Sequence, residues 1–170
     1  MCAMTSKEST VERTLEIAAA RHAIEDIVFR YAEAVDEGDY AALAKVLHHC
    51  TLVMPNGNNI VGGSAIAANY RSIIVLYDAA EQRVKFAPGA SPRTRHVTTN
   101  LIYEFSDDVT TANVRSYFSV YQNLGGQNPL IAGGRYLDRY SIGADGWQID
   151  ERAVRIEQPT DMRAHLQAAV

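Results

Sequence analysis

Residues 94–105 have the sequence TRHVTTNLIYEF, and they begin the part of the chain that decides the fold. Their β-branched and aromatic side chains predict a strand, and turn signals separate this stretch from further strand-like runs. Those three runs cover residues 110–122, 130–142 and 147–156. Each connection between the runs is short and polar or rich in glycine, which favours hairpins. The second half of the chain therefore predicts a four-stranded antiparallel meander.

The residues before this meander predict three helices. Apolar side chains recur at helical spacing in the first, at Leu15, Ile24, Ile27, Val28, Tyr31 and Val35. Gly38 is expected to end this helix in a left-handed conformation, and Asp39 to cap a second, short helix. Residues 51–55 (TLVMP) predict a short strand, and Ser64 is expected to cap the third helix. Helices followed by strands are typical of the α+β class.

The 170 residues are expected to form one domain over residues 11–157. We expect residues 1–10 to be a flexible tail, and residues 158–170 to be an extension in which a short helix is one outcome. Residues 78–92 have no clear period and contain two prolines. Loops of this length are usually functional or mobile, so a pocket lid or rim and a solvated connector are both open.

The composition excludes several classes of function. Apolar residues make up 47% and charged residues 21%, and the net charge of −4 gives no case for nucleic acid or an anionic membrane as a partner. The apolar runs are too short to span a bilayer. With two cysteines, one of them in the expected tail, and no signal-peptide pattern, we expect a cytoplasmic protein.

Asp36 is the most informative acidic residue. It falls in the last turn of the first helix, where the helix dipole disfavours negative charge. A residue that is locally unfavourable near an apolar stripe invites a functional explanation, although a solvated acid beside Glu37 and Asp39 explains it too.

His96 opens the first long strand. Alternation places His96, Thr98, Asn100, Ile102 and Glu104 on one face, and Val97, Thr99, Leu101, Tyr103 and Phe105 on the other. The second face is more apolar, so His96 alone fits the surface as well as a pocket. A histidine in contact with an aspartate would be a general base with its orienting partner. The adjacent His48, His49 and Cys50 point in different directions in a helix or strand, which disfavours a shared metal ion.

The order of these elements resembles a known family. Four phrases carry the resemblance, namely AIEDIVFRYAEAVDEGDYAALAKVL, RHVTTNLIYEF, GGRYLDRYSI and DGWQIDERAV. They are similar to the SnoaL-like group of the nuclear-transport-factor-two-like superfamily, over roughly residues 15–157. The resemblance implies a cone-shaped, barrel-like α+β fold, with three N-terminal helices packed on a curved, mainly antiparallel sheet that encloses a pocket. Members of the family commonly dimerise.

Within the family, the chain most resembles the branch of scytalone dehydratase, hexachlorocyclohexane dehydrochlorinase and bile-acid dehydratase. That branch uses an Asp–His dyad, whose positions are filled here by Asp36 and His96, with Asn100 four residues after the histidine. Tyr31 stands where the dehydrochlorinase has a pocket lysine. The resemblance thus implies a cofactor-independent lyase of the dehydratase or dehydrohalogenase type, with no metal required and a small, largely apolar substrate.

Tyr31, Tyr117, Tyr121 and Asn100 are the candidate substrate-binding residues, the tyrosines as hydrogen-bond donors to a developing oxyanion. The same dyad could start an isomerisation or a cyclisation. A non-catalytic ligand-binding module, or the small subunit of an aromatic-ring hydroxylase, is the alternative from another class. We expect a homodimer through the sheet, because the row Val97, Leu101, Tyr103 and Phe105 is too apolar to leave in water.

Overall fold

The four strand-like runs form the four long strands of one sheet. A computed structural model describes residues 2–167 of the chain, with side chains from residue 10 onward. The helices are α1 (Cys2–Glu37), α2 (Tyr40–Val46) and α3 (Gly63–Ile73). The strands are β1 (Thr51–Val53), β2 (Asn59–Val61), β3 (Leu76–Tyr77), β4 (Arg83–Val84), β5 (Thr94–Phe105), β6 (Thr111–Gln122), β7 (Leu130–Gly143) and β8 (Gly146–Pro159).

The main sheet has six strands in the order β2-β1-β8-β7-β6-β5. All neighbours are antiparallel except β1 and β8, which are parallel. The predicted α+β class and the meander are confirmed. The sheet has two edges, β2 and β5, so it is an open sheet with helices packed on one side rather than a closed barrel.

Glycine and capping chemistry set the helix boundaries that position the site. Gly38 has φ +66°, a left-handed conformation that ends α1 as predicted. Asp39 then caps α2, its carboxylate accepting hydrogen bonds from the backbone N–H groups of Ala41 and Ala42 at 3.1 and 2.9 Å. The predicted start of α3 was two residues late. Its cap is Gly62, at φ +85°, so Ser64 lies inside the helix.

The structure describes part of the expected tail and part of the expected C-terminal extension. Helix α1 begins at Cys2 and therefore includes most of the expected tail, since residues 2–10 contain no glycine or proline to stop it. Residues 160–167 form turns instead of a helix. Their backbone forms one turn, in which the N–H groups of His165 and Leu166 donate to the Met162 carbonyl. It is also bonded to residues 73–75, because Val75 N–H donates to the His165 carbonyl and Gln167 N–H donates to the Ile73 carbonyl. Residues 168–170 of the expected extension lie outside the described residues.

Residues 78–92 are partly ordered by a small hairpin. Strands β3 and β4 pair as a separate two-stranded sheet, and Tyr77 also pairs with Ser91 through two backbone hydrogen bonds. The structure thus ties this segment to the end of α3 and to the start of β5. Its role as a lid or as a connector stays a prediction.

A β-bulge in β5 changes which side chains face the helices. Asn100 has φ +55°, and the pairing of β5 with β6 shifts register between Thr99 and Ile102. Before the bulge, the buried or half-buried positions are Thr94, His96 and Thr98; after it they are Leu101, Tyr103 and Phe105. We call this side of the sheet, which packs against α1, the inner face. A bulge adds one residue to a strand and so reverses the alternation beyond it.

The dimer prediction assumed that four apolar side chains of β5 form one row, and the bulge places them on two different faces. Val97 is exposed on the outer face, whereas Leu101, Tyr103 and Phe105 lie on the inner face and pack against the core. The four residues therefore do not form one surface.

None of the described helices has the length and hydropathy of a membrane span.

Candidate active site

Asp36 is buried at the end of α1, and the first three residues of β5 hold it. Its carboxylate accepts hydrogen bonds from the Thr94 hydroxyl at 2.7 Å and from the His96 backbone N–H at 2.8 Å. Gly38 makes this possible, because it ends the helix just beyond Asp36 and lets the chain turn away. The unfavourable helix-end position is thus compensated by donors from a neighbouring strand.

The His96 ring contacts the same carboxylate. Its Nδ1 lies 2.6 Å from Oδ1 of Asp36, and the two side chains are only 9% and 7% exposed. An ionised carboxylate can only accept a hydrogen bond, so Nδ1 of the neutral ring carries the hydrogen. The lone pair of the neutral imidazole is then on Nε2, the nitrogen that faces away from Asp36. The two predicted dyad residues are therefore brought together, and their catalytic role stays a prediction.

The environment of Asp36 favours its charged form. Burial acts to raise the pKa of this carboxyl, but the hydrogen bonds and charge of His96 and the hydrogen bond from Thr94 outweigh burial and lower it. Asp36 is consequently a carboxylate at neutral pH, which is the state that orients a histidine base and stabilises an imidazolium.

Tyr31 lies within a buried polar cluster that sequence reasoning missed. Its hydroxyl is 2.8 Å from that of Tyr70, and its ring stacks on the Arg152 guanidinium at 4.2 Å. Arg152 also lies 4.3 Å from the ring of Tyr136 and donates two hydrogen bonds to Asp138, at 3.0 and 2.7 Å. Tyr31 is thus a buried residue of α1. Its role in substrate binding stays a prediction.

The Arg152–Asp138 pair is an ion pair without solvent exposure, because its side chains are 0% and 1% exposed. Burial acts to lower the pKa of Arg152, but the charge and hydrogen bonds of Asp138 raise it, so the guanidinium stays protonated. One of its nitrogens, Nη1, has no hydrogen-bond partner among residues 2–167. The signal for this pair was present in the sequence, since Asp138 alternates with Tyr136 and Tyr140 on one face of β7.

Tyr117, Tyr121 and Asn100 do not lie beside His96. His96 is opposite Val120 on the inner face, whereas Tyr117 and Tyr121 alternate with Val120 and point to the outer face. Tyr117 is 48% exposed. Asn100 forms the bulge and is exposed, because its left-handed backbone removes it from the alternation. Their prediction as residues of the His96 site is therefore wrong.

Two other residues near the dyad were also missed. Thr98 follows His96 on the inner face of β5, and His165 is buried in the C-terminal segment. Burial, and then the charge of His96, lower the pKa of His165 to about 4, against an opposing effect of Asp36. His165 is therefore neutral at pH 7. It escaped notice because it lies beyond the last predicted strand.

The histidines that suggested a metal site do not converge with other ligands. His48 and His49 are exposed, with their rings edge-to-face at 4.3 Å, while Cys50 is buried and its pKa is raised to about 12 by burial. Within the described part of the chain, no group of three or more His, Cys, Asp or Glu side chains could hold a metal ion.

Solved structures of other proteins share this fold. An NTF2-like protein with a cystatin-like fold from Novosphingobium aromaticivorans matches with a TM-score of 0.67 and 16% identity, covering 89% of this chain and 90% of its own. A protein provisionally named a scytalone dehydratase, from the same species, gives 0.64 and 23%, covering 87% and 91%. The hexachlorocyclohexane dehydrochlorinase LinA-type3 of Novosphingobium barchaimii gives 0.64 and 19%, covering 92% and 96%.

At these identities the likeness establishes the fold, and the sequence itself establishes the family. The family model for the SnoaL-like domain matches residues 16–153, which include α1 from its middle onward and all strands up to most of β8. Both Asp36 and His96 lie within the matched range. The chain therefore belongs to the SnoaL-like domain family.

Proposed function

We propose that the protein is a cofactor-independent lyase, of the dehydratase or dehydrohalogenase type, in which His96 is the general base. The observation that carries this proposal is the 2.6 Å contact between His96 Nδ1 and Asp36 Oδ1, made by two nearly buried side chains. A base needs a lone pair directed at the substrate and a partner for its other nitrogen. Asp36 supplies that partner and leaves Nε2 free for the proton.

The reaction begins when Nε2 of neutral His96 takes a proton from a carbon next to a carbonyl group or a ring. The electron pair of the broken C–H bond forms a double bond to the adjacent carbon. A hydroxyl or halide leaves that carbon with its own bonding pair. Asp36 stays ionised and stabilises the imidazolium. A positioned base of this kind contributes roughly 10²–10⁴-fold to the rate.

Tyr31 and Tyr70 are the residues we propose as donors to a substrate oxygen. Their hydroxyls share one hydrogen bond at 2.8 Å, so one of the two hydrogens is left to donate. Burial raises the pKa of Tyr70 well above its usual value, which keeps it a donor. This assignment replaces Tyr117 and Tyr121, which lie on the outer face.

The placement of His96 also bears on the alternative functions. A non-catalytic module or subunit predicts a histidine that faces outward, whereas this one is paired and directed to the inner face. The named activities of the dehydrochlorinase and of the protein named as a scytalone dehydratase are eliminations, which supports the same proposal. An isomerase or cyclase would use the same proton abstraction and differ only in the later steps of the reaction.

We also propose a homodimer, and this proposal now rests on a different set of exposed residues. Exposed apolar residues are grouped on the outer face of β5, β6 and β7, namely Val97, Ile102, Tyr117 and Leu137. A second copy that covers them would remove this patch from water. We retain the cytoplasmic location expected from the cysteine content.

The experiment measures the incorporation of deuterium from D₂O at the carbon next to the carbonyl group. The compounds tested are a panel of cyclic ketones and β-hydroxy ketones. Proton abstraction is common to elimination, isomerisation and cyclisation, so exchange identifies the base without knowledge of the leaving group. Wild-type protein should exchange at least one member of the panel, and His96→Ala should not. His49→Ala is the matched control, since His49 is exposed and outside the site. Exchange that persists in His96→Ala would refute the proposal.

A further inference from the structure

The C-terminal segment, residues 160–167, is fixed against the end of the sheet that carries the dyad. The Ala164 carbonyl accepts hydrogen bonds from the Tyr77 hydroxyl at 2.5 Å and from Gln122 Nε2 at 3.4 Å. The His165 carbonyl accepts another from the Val75 N–H at 2.8 Å. These bonds come from two parts of the chain, residues 75–77 and the end of β6, so the backbone on both sides of the His165 side chain is held in place.

The same contacts locate His165 near Asp36 and His96. Gln122 is the cross-strand partner of Thr94, and the Thr94 hydroxyl binds the Asp36 carboxylate. The Ala164 carbonyl accepts a hydrogen bond from Gln122. Ala164 therefore lies beside the cross-strand pair of Thr94 and Gln122, and Thr94 is the residue that binds Asp36. Consistent with this, the charges of both His96 and Asp36 act on the His165 ring.

Two polar atoms at this end of the inner face lack partners. His165 Nδ1 and the Thr98 hydroxyl are buried and form no hydrogen bond with any residue that the structure describes. Buried polar groups are nearly always hydrogen-bonded, because an unpaired one costs free energy. Thr98 is two residues from His96 on the same face of β5. The charge of His96 acts on the His165 ring, so both unpartnered groups belong to the surroundings of the proposed base. A ligand with oxygen atoms would satisfy them.

We propose that His165 is a substrate-binding residue, whose Nδ1 forms a hydrogen bond with a hydroxyl or carbonyl oxygen of the substrate. The inference rests on the proposed function and narrows its substrate class to oxygenated compounds, as opposed to those in which halogens are the only polar groups. The neutral imidazole can donate or accept through Nδ1, depending on its tautomer. No proton is transferred, so His165 binds and orients while His96 remains the base.

The test compares two probes of the same shape. The probe 2-naphthol carries a planar hydroxyl group like that of an enol, and 2-chloronaphthalene has chlorine in its place. Wild-type protein should bind 2-naphthol about tenfold more tightly than 2-chloronaphthalene, as expected for one hydrogen bond in a buried site. His165→Leu should lose this preference, while its affinity for 2-chloronaphthalene changes less than about twofold.

Two further variants show which of the two ring nitrogens of His165 binds the probe. The amide of His165→Asn lies near the position of Nδ1, and that of His165→Gln near the position of Nε2. His165→Asn should retain most of the preference for 2-naphthol, and His165→Gln should not. Circular dichroism checks the fold of each variant. Should His165→Leu fail to fold, the ¹⁵N resonance of His165 Nδ1 in the wild-type protein supplies the answer, because 2-naphthol should shift it and 2-chloronaphthalene should not.

Equal binding of the two probes by wild-type protein, or binding of neither, would overturn the inference. So would an unchanged preference for 2-naphthol in His165→Leu. The proposed function fails by a different result, which is deuterium exchange that continues in His96→Ala. If deuterium exchange requires His96 but the preference for 2-naphthol does not depend on His165, the inference about His165 is overturned and the proposed function stands.

Discussion

Replacing Asp36 by asparagine is expected to destabilise the protein in a way that depends on pH. The carboxylate accepts from Thr94 Oγ1 at 2.7 Å and from His96 N at 2.8 Å, and Nδ1 of His96 is 2.6 Å away. Asparagine offers one acceptor oxygen instead of two, so at least one buried donor loses its acceptor. A buried donor without a partner costs about 1–3 kcal/mol, and we expect Asp36→Asn to lose that much free energy of unfolding at pH 7.

The pH dependence follows from the lowered pKa of Asp36. A carboxyl whose pKa is lower in the folded state stabilises the protein above its unfolded pKa, here 3.8, and loses that contribution as pH falls toward the folded value. Asparagine does not titrate. The stability difference between wild type and Asp36→Asn should therefore shrink as the pH falls below about 4.

Urea denaturation followed by circular dichroism at several pH values measures this difference. Asp39→Asn is the matched control. Asp39 is an exposed cap of α2, where asparagine caps as well as aspartate, so its free energy of unfolding should change by less than about 0.5 kcal/mol. A difference between wild type and Asp36→Asn that is unchanged from pH 7 to below pH 4 would refute the reasoning, because Asp36 would then not be a charged acceptor in the folded protein.

Three other predictions concern the core, the tyrosines and the assembly. Arg152→Met should cost about 3–5 kcal/mol because it leaves Asp138 buried and unpaired, and addition of Asp138→Leu should restore most of that loss in urea denaturation. Tyr31→Phe should lower the rate of the reaction. Tyr117→Phe and Tyr121→Phe should leave the rate within about twofold, since their hydroxyls are on the outer face. A larger loss of rate in the Tyr117 or Tyr121 variant than in Tyr31→Phe would show that the outer tyrosines contact the substrate. Light scattering at micromolar concentration should give a dimer, and a monomer would contradict the proposed role of the outer face.

The sequence predicted the elements well because their signals are local. The four long strands follow from alternation between clear turns, and the boundary of α1 follows from Gly38, whose φ of +66° suits glycine. Asp36 was singled out because an acid at the end of a helix needs a local explanation. The contact with His96, 60 residues later, came from the family resemblance and not from the spacing.

The failures arise where a single residue changes the geometry. A bulge at Asn100 has no reliable local signal, yet it reverses the faces of β5 and splits the apolar row that suggested the dimer. Tyr117 and Tyr121 were assigned to the pocket because tyrosine suits either face of a half-buried strand. His165 was missed because backbone bonds to distant segments, which the sequence does not reveal, bring the C-terminal segment to the site.

The central claim is that His96 moves the proton, and kcat/KM of His96→Ala on the first substrate identified tests it most directly. With the fold retained by circular dichroism, the account predicts a loss of about 10²–10⁴-fold relative to wild type. His49→Ala should remain within about twofold of wild type, because it removes an exposed histidine outside the site. A His96→Ala protein that keeps full activity and only melts at a lower temperature would show that His96 is structural, and would contradict the account.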